Sequence, residues 1–385
     1  MASKVINTIL KLRDEMSGGL VKAAKKTSTV SDEMTRATRK VVAFKNKGVK
    51  AITDFAKTTA KVGTGAVAAF GAYSVKVGMD FESQMSKVSA ISGASASDVQ
   101  RLTEAAKEMG ASTKFSATES AQALEYMAMA GWKTDQMISG LPGIMNLAAA
   151  SGEDLASVSD IVTDALTGFG LQAKDSAHFA DVLAKASSSS NTNVSLMGET
   201  FKYAAPVAGA LKYSIEDTAV AVGLMANAGI KGSEAGTALR GVLTNLAKPS
   251  DTVAGYMEAL GVSLTDSEGN VKPLAAQMVD LRNKFAGLTD AQKAEYAAGI
   301  AGKEAMSGLL AIVNASETDF NNLTNAIANS DGTAQAMADT MNNNLQGKIT
   351  LLKSAVEGVG ITFYDSIKDK ASGAVQSLTD KISQW

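Results

Sequence analysis

Apolar and polar positions along the chain repeat with helical spacing far more often than they alternate. In KFSATESAQALEYMAMAG, residues 114–131, Ala121, Leu124, Ala128 and Gly131 fall three or four apart and share one helix face. The arrangement returns in KYSIEDTAVAVGLMANAG, residues 212–229, where Ala219, Val222, Ala226 and Gly229 share a face. Aligned without gaps, 103–132 and 201–230 are identical at nine of thirty positions, and five of the nine are Ala, so identity alone says little. The boundaries say more. Both copies read Lys-aromatic-Ser before a helix and Met-Ala-x-Ala-Gly at its end.

Ser116 and Ser214 are placed to cap helix N-termini, with Glu119 and Asp217 three residues on to reach back. Gly131 and Gly229 are placed to close the helices in the left-handed conformation, and Met127 and Met225 supply deformable apolar filling. These eight residues read as capping and packing positions and not as a ligand site. Each copy is predicted to be a helical hairpin that needs a neighbour to bury its apolar face.

Further helix starts are expected at Ser97–Gln100, Ser151–Asp154 and Thr289–Gln292, and a further stop at Gly110. Pro142 is expected to kink or begin a helix, Pro249 to follow the end of one, and Ser187–Asn193 to be a polar loop. Alternation around a Gly/Asn turn occurs once, in VSLTDSEGNVKPL. The predicted fold is therefore mainly α: a helical-hairpin core with an internal repeat, one small β-hairpin near 262–274, and extended helical termini. Five segments are expected: a basic helical arm (1–61), an apolar Gly/Ala helix (62–78), a core with the repeated hairpins (79–250), a hairpin plus helices (251–330), and an amphipathic helical end (331–385).

Composition agrees with helix. Of 385 residues, 45% are hydrophobic but only 5% aromatic, and there are just 4 Pro. The absence of Cys excludes disulfides and thiolate chemistry and fits an intracellular site of synthesis. The first residues carry charges among their apolar positions and lack the apolar core of a signal peptide. The net charge of −2 hides an asymmetry: residues 1–76 hold fifteen Lys/Arg against five Asp/Glu. Such an arm binds nucleic acid or an acidic surface, packs between copies, or is simply a solvated helix face. Lacking interleaved aromatics and Arg clusters, it is not a specific nucleic-acid reader. The charge-free run Val62–Val75 is too short to span a bilayer at ~18–20 residues, leaving a packed or hinge-like helix with a capacity for membrane contact.

Enzyme signatures are missing. The single histidine, His178, has no second His or Cys to form a zinc-binding motif, and no GxSxG occurs. Gly299–Met306 lacks the upstream Gly and following Ser/Thr of a phosphate loop, and the GxGxxA matches at 63–68 and 168–173 follow no strand. Glu119 followed by Ser120 has the Glu-Ser pair of lytic transglycosylases without the segment that should come next. No catalytic residue, cofactor or metal site is expected.

VGMDFESQMSKVSAISGAS (77–95) and LTEAAKEMGASTKFSATESAQALEYMAMAGW (102–132) together resemble the core region of phage tail tape measure proteins of the TP901 type. The similarity continues through 196–250, GVSLTDSEGNVKPL (261–274) and GKEAMSGLLAIV (302–313), in the family's order. It implies a structural, non-enzymatic virion protein lying in several copies in the tail lumen. Implied partners are other copies of the chain, tail tube protein, tail assembly chaperones, baseplate or tail-tip proteins, and the host membrane on ejection. Implied locations are the virion tail, the host cytoplasm during assembly and the host envelope on infection. Members are usually longer. At ~1.5 Å per residue, 385 helical residues reach only about 580 Å. Either the tail is short or, as the uncapped end favours, the chain is one segment of a longer or processed product. The alternative from another class is a membrane-active helical protein forming a conduit or lesion in the host envelope. An unrelated helical scaffold and a wall-degrading enzyme rank below both.

Overall fold

A computed structural model describes residues 64–383, so the expected basic arm over 1–61 lies outside the described residues, as do the first two positions of the 62–78 stretch. Sixteen α-helices and no strand occur among the described residues. In order they are α1 (Thr64–Ser92), α2 (Ala96–Ser112), α3 (Ala117–Met129), α4 (Thr134–Ser151) and α5 (Leu155–Phe169). After a 3-10 turn at Ala173–Asp175 come α6 (Ser176–Ser189), α7 (Val194–Ala210), α8 (Ile215–Asn227) and α9 (Gly232–Ala247). Then follow α10 (Asp251–Leu260), α11 (Leu274–Ala286), α12 (Asp290–Ala301) and α13 (Met306–Val313). The last are α14 (Glu317–Ala328), α15 (Thr333–Asn342) and the long α16 (Leu345–Ser383).

Local chemistry sets most of these boundaries. Ser95, Asp154, Asn193, Ser250 and Ser316 each accept the backbone N–H three residues on, satisfying a donor the helix cannot. Thr289 and Gln292 close a reciprocal capping box at α12. Several expectations shift. The cap of α2 is Ser95, two residues before Ser97, because Gly93 at φ 60° ends α1 and frees Ser95 to turn extended. Ser151 closes α4 instead of starting α5; Gly152 takes the left-handed position and Asp154 is the cap. Pro142 lies inside α4 and begins nothing. Gly110 is not a stop but sits within α2, where a Cβ would run into the backbone of Ser116 and Ala117 as the chain turns back. The polar loop shortens to 190–193 because α6 runs on to Ser189.

The β-hairpin expected near 262–274 does not form. A single antiparallel bridge, Thr265 to Val271, is all that pairs. The Asp266 carboxylate accepts the N–H groups of Glu268 and Asn270, which binds the turn to a side chain, and the Lys272 carbonyl accepts from the Gln277 amide instead of from Leu264.

The chain divides into two compact units, one comprising residues 126–341 and the other the described parts of 1–125 and 342–385. From α4 to α9 most helices pack chiefly on the next but one, whereas α8 packs most on α14. One row contains α4, α6, α8 and α14, and the other α5, α7 and α9 followed by α12 and α13. In the α7–α8 copy Ser214 caps the start of α8, yet α7 packs along α5 and α9 and only lightly on α8. Small residues permit this. A Cβ at Gly209 would lie 2.7 Å from Cα of Phe169, and one at Gly236 would lie 2.7 Å from the Thr200 carbonyl oxygen, so backbones touch where these helices meet. Phe201, fully buried on α7, pairs with Phe169 of α5 at 5.7 Å between ring centroids and with Phe179 of α6 at 5.9 Å, tying the rows together.

In the other unit, α16 lies against α1 and α2. Gly78 of α1 faces the Tyr364 ring, and Gly360 of α16 faces Ser74 and Val77. Polar ties flank this seam. Tyr364 O–H donates to Glu82 at 2.6 Å, Lys107 pairs with Asp365 at 2.6 Å, Thr118 donates to Glu357 at 2.9 Å, and Ser354 donates to the Lys114 carbonyl at 3.0 Å.

Two outcomes follow from these contacts. Gly236→Val should cost about 2–3 kcal/mol through overpacking, whereas Gly255→Ala on α10, with nothing near its missing Cβ, should gain up to about 1 kcal/mol; urea midpoints compare them. The bond to Glu82 holds the Tyr364 phenol up to about 12 against an ordinary 10.0. Its contribution is complete below pH 10.0 and is lost as pH rises through about 12. Ultraviolet titration should show one tyrosine ionising late, a transition that moves to lower pH in Glu82→Gln.

Candidate functional site

Residues marked by the repeat form two sets of caps. At the first, Ser116 Oγ accepts from the Glu119 N–H at 3.1 Å while Glu119 Oε2 accepts from the Ser116 N–H at 2.7 Å, a closed capping box. At the second, Ser214 Oγ accepts from the Asp217 N–H at 3.0 Å, but the acidic side chain does not return. Asp217 is one methylene shorter than Glu119. Its carboxylate instead accepts the Ala275 N–H at 3.0 Å, in the first turn of α11, where Pro273 supplies no side-chain cap. One acid thus serves the N-terminal turn of another helix, where negative charge is favoured.

Lys-aromatic-Ser also folds differently in the two copies. Lys212 stands at φ 58°, the one non-glycine with positive φ among the described residues. There the N–H of Tyr213 reaches the Ala208 carbonyl and that of Lys212 the Gly209 carbonyl, the paired bonds of a Schellman close to α7. In the first copy α2 ends in extended Thr113, whose hydroxyl and N–H both donate to the Met109 carbonyl. The final glycines are alike. Gly131 at φ 83° and Gly229 at φ 92° each close a Schellman motif, with Trp132 N–H on the Met127 carbonyl and Ile230 N–H on the Met225 carbonyl. Met127 and Met225 are fully buried, and the Met225 methyl fills the space beside Gly308 of α13.

Around the second copy the 262–274 turn is docked by polar contacts. Gln277 of α11 is buried and donates to Tyr213 Oη at 2.7 Å and to the Lys272 carbonyl at 2.8 Å. Burial pushes the Tyr213 phenol up, and the bond from Gln277 opposes that shift. A cleft lined by 210–214, Asp217 and 270–273 includes Tyr213 and Lys272.

His178 lies half-exposed on α6. Its Nε2 is 2.6 Å from Glu216 of α8, and its Nδ1 is 3.6 Å from Asp331. Nearby, Asp181 accepts the N–H groups of Gly332 and Ala334, both at 2.8 Å, at the start of α15. Desolvation raises the Asp181 carboxyl, against those two bonds. Sequence reasoning missed Asp181 and the remote duty of Asp217. Their partners lie 151 and 58 positions away, and no local spacing announces them. Among the described residues no group of three or more His, Asp or Glu side chains is arranged to hold a metal ion. No helix among them is long and apolar enough to cross a membrane. Of these carboxylates Glu119, Asp217 and Asp181 accept backbone N–H groups at helix starts.

Asp217→Ala should lower stability by about 1–2 kcal/mol, since it uncaps α11, whereas Glu119→Ala, which opens a local box, should cost about 0.5–1 kcal/mol. Hydrogen exchange distinguishes them: Asp217→Ala should speed exchange of the first amides of α11 as well as weakening the fold.

Comparison with known proteins shows the family. No solved structure matches the chain. A protein named tape measure protein, from Pneumococcus phage Dp-1, is 41% identical over 82% of this chain and 28% of its own length. One named probable tape measure protein, from Escherichia phage P2, is 31% identical over 80% of this chain and 38% of its own length. A third of that name, from Clostridium phage phiCD119, is 22% identical over the whole chain and 42% of its own length. The chain therefore spans well under half the length of these curated relatives. The family model described as phage-related minor tail protein matches residues 103–302, which run from α2 through α12 and contain both copies of the repeat. With more than half its residues so matched, the chain belongs to the phage-related minor tail proteins, and its relatives are tape measure proteins.

Proposed function

We propose that the chain acts as a tape measure protein: it lies inside the tail tube, contributes to tail length and tube assembly, and leaves ahead of the genome on infection. The observation that carries this reading is the 41% identity, over 82% of the chain, to a protein that bears that name. A structural part in the phage tail suits what the side chains do, since the capping carboxylates are committed to backbone donors. Partners on this reading are further copies of the chain, tube protein, tail assembly chaperones, baseplate or tip proteins and, at ejection, the host membrane. The protein works in the host cytoplasm during assembly and then in the tail lumen, without catalysis. On this reading 79–250 carries the repeated hairpins and 331–385 is the helical end.

The decisive measurement is tail length by electron microscopy of particles whose chain carries an in-frame duplication of Leu345–Ser383. At ~1.5 Å per residue, these 39 helical residues should lengthen tails by up to about 60 Å. Viable particles with unchanged tails would overturn a length-setting role for this segment.

A further inference from the structure

Residues 126–341 leave their unit at both ends into the same body. At one end the chain passes through α3 into α1 and α2; at the other it passes into α16. That body is held together by the α1–α16 seam, whose ties join residues 239 to 282 positions apart. Any tension applied to the two ends of the chain must therefore cross the seam before it reaches anything in 126–341.

We propose that the α1–α16 seam is a mechanical clasp, which shields the helical rows of 126–341 from a pull on the chain ends until it opens. The inference rests on topology and contacts and does not depend on the length-setting role. Three features suit the seam to this duty. Its two notches interlock, with Gly78 receiving the Tyr364 ring and Gly360 receiving Ser74 and Val77, so the helices must separate before either slides. The Phe70 and Phe363 rings meet edge to face at 6.2 Å, an apolar contact beside the notches. Its polar ties reach α16 from three different helices: Glu82 on α1, Lys107 on α2 and Thr118 on α3. A pull on α16 is thus shared among α1, α2 and α3. The Ser74 hydroxyl is buried at the seam without a hydrogen-bond partner, so the interface gains no strength there and depends on the fit around Gly360.

The test is single-molecule force spectroscopy on the full chain with handles at its two termini. The expected first event releases only α1, α2, the first part of α3 and α16. At ~3.5 Å per extended residue, the 104 described residues of that body give about 360 Å of new contour length. Events from 126–341 should follow, adding about 750 Å for its 216 residues. Handles moved to cysteines introduced at positions 126 and 341 should bypass the seam and remove the first event. Gly360→Val should lower the force of the first event and leave the later ones unchanged. A first event carrying the longer increment, or a first-event force that Gly360→Val leaves untouched in a folded protein, would overturn the proposal.

Discussion

Backbone-to-backbone approach at residues without side chains is the constraint on which this molecule depends. A Val at position 209 would push α7 away from α5, and one at 236 would push α9 away from α7. Since α7 lies between α5 and α9, both displacements would pull on Phe201, whose ring joins the two rows through Phe169 and Phe179. Low aromatic content follows from the same geometry. With helices this close there is room for few large rings, so burial comes from many Ala and Met contacts, each individually small.

Capping takes on more weight in such a fold. Helices of 8 to 18 residues fill the rows and are marginal alone, so satisfied ends matter as much as covered faces. The structure meets this need locally at Ser116 and Glu119, and over distance at Asp217 and Asp181. Remote capping does two things at once, because the same carboxylate that completes one helix also fixes its position against another.

How much of this the sequence reveals depends on the range of each interaction. Ser116, Glu119, Gly131, Ser214 and Gly229 are legible because the groups they satisfy lie within five residues, and helix as the dominant element is legible from period alone. Gly110 looks like a stop because a glycine near a helix end has two uses, and only the neighbouring chain reveals that close approach is the one in play here. The 262–274 segment looks like a hairpin because alternation is visible, whereas Asp266 taking over the turn's donors is not. Packing between alternate helices left no trace in the pattern. A helix face buried against the following helix and one buried against the helix after that have the same periodicity. Asp217 and α16 were opaque for a further reason: their partners lie far off in the chain.

The seam between α1 and α16 also imposes an order on synthesis. The last residue of α1 is Ser92 and the first of α16 is Leu345, about 250 residues later. At ~5–20 residues per second, the face of α1 that α16 will cover stays bare on the nascent chain for on the order of 10–50 s. Most helices within the rows wait only for the helix after next, a few seconds at the same rate, although α6 and α8 also wait for α14. Among the described helices α1 is thus the first made and among the last completed. During that interval Phe81, Met85 and Val88 can be covered only by residues already synthesised, while the Gly78 notch stays open until Tyr364 of α16 has been made.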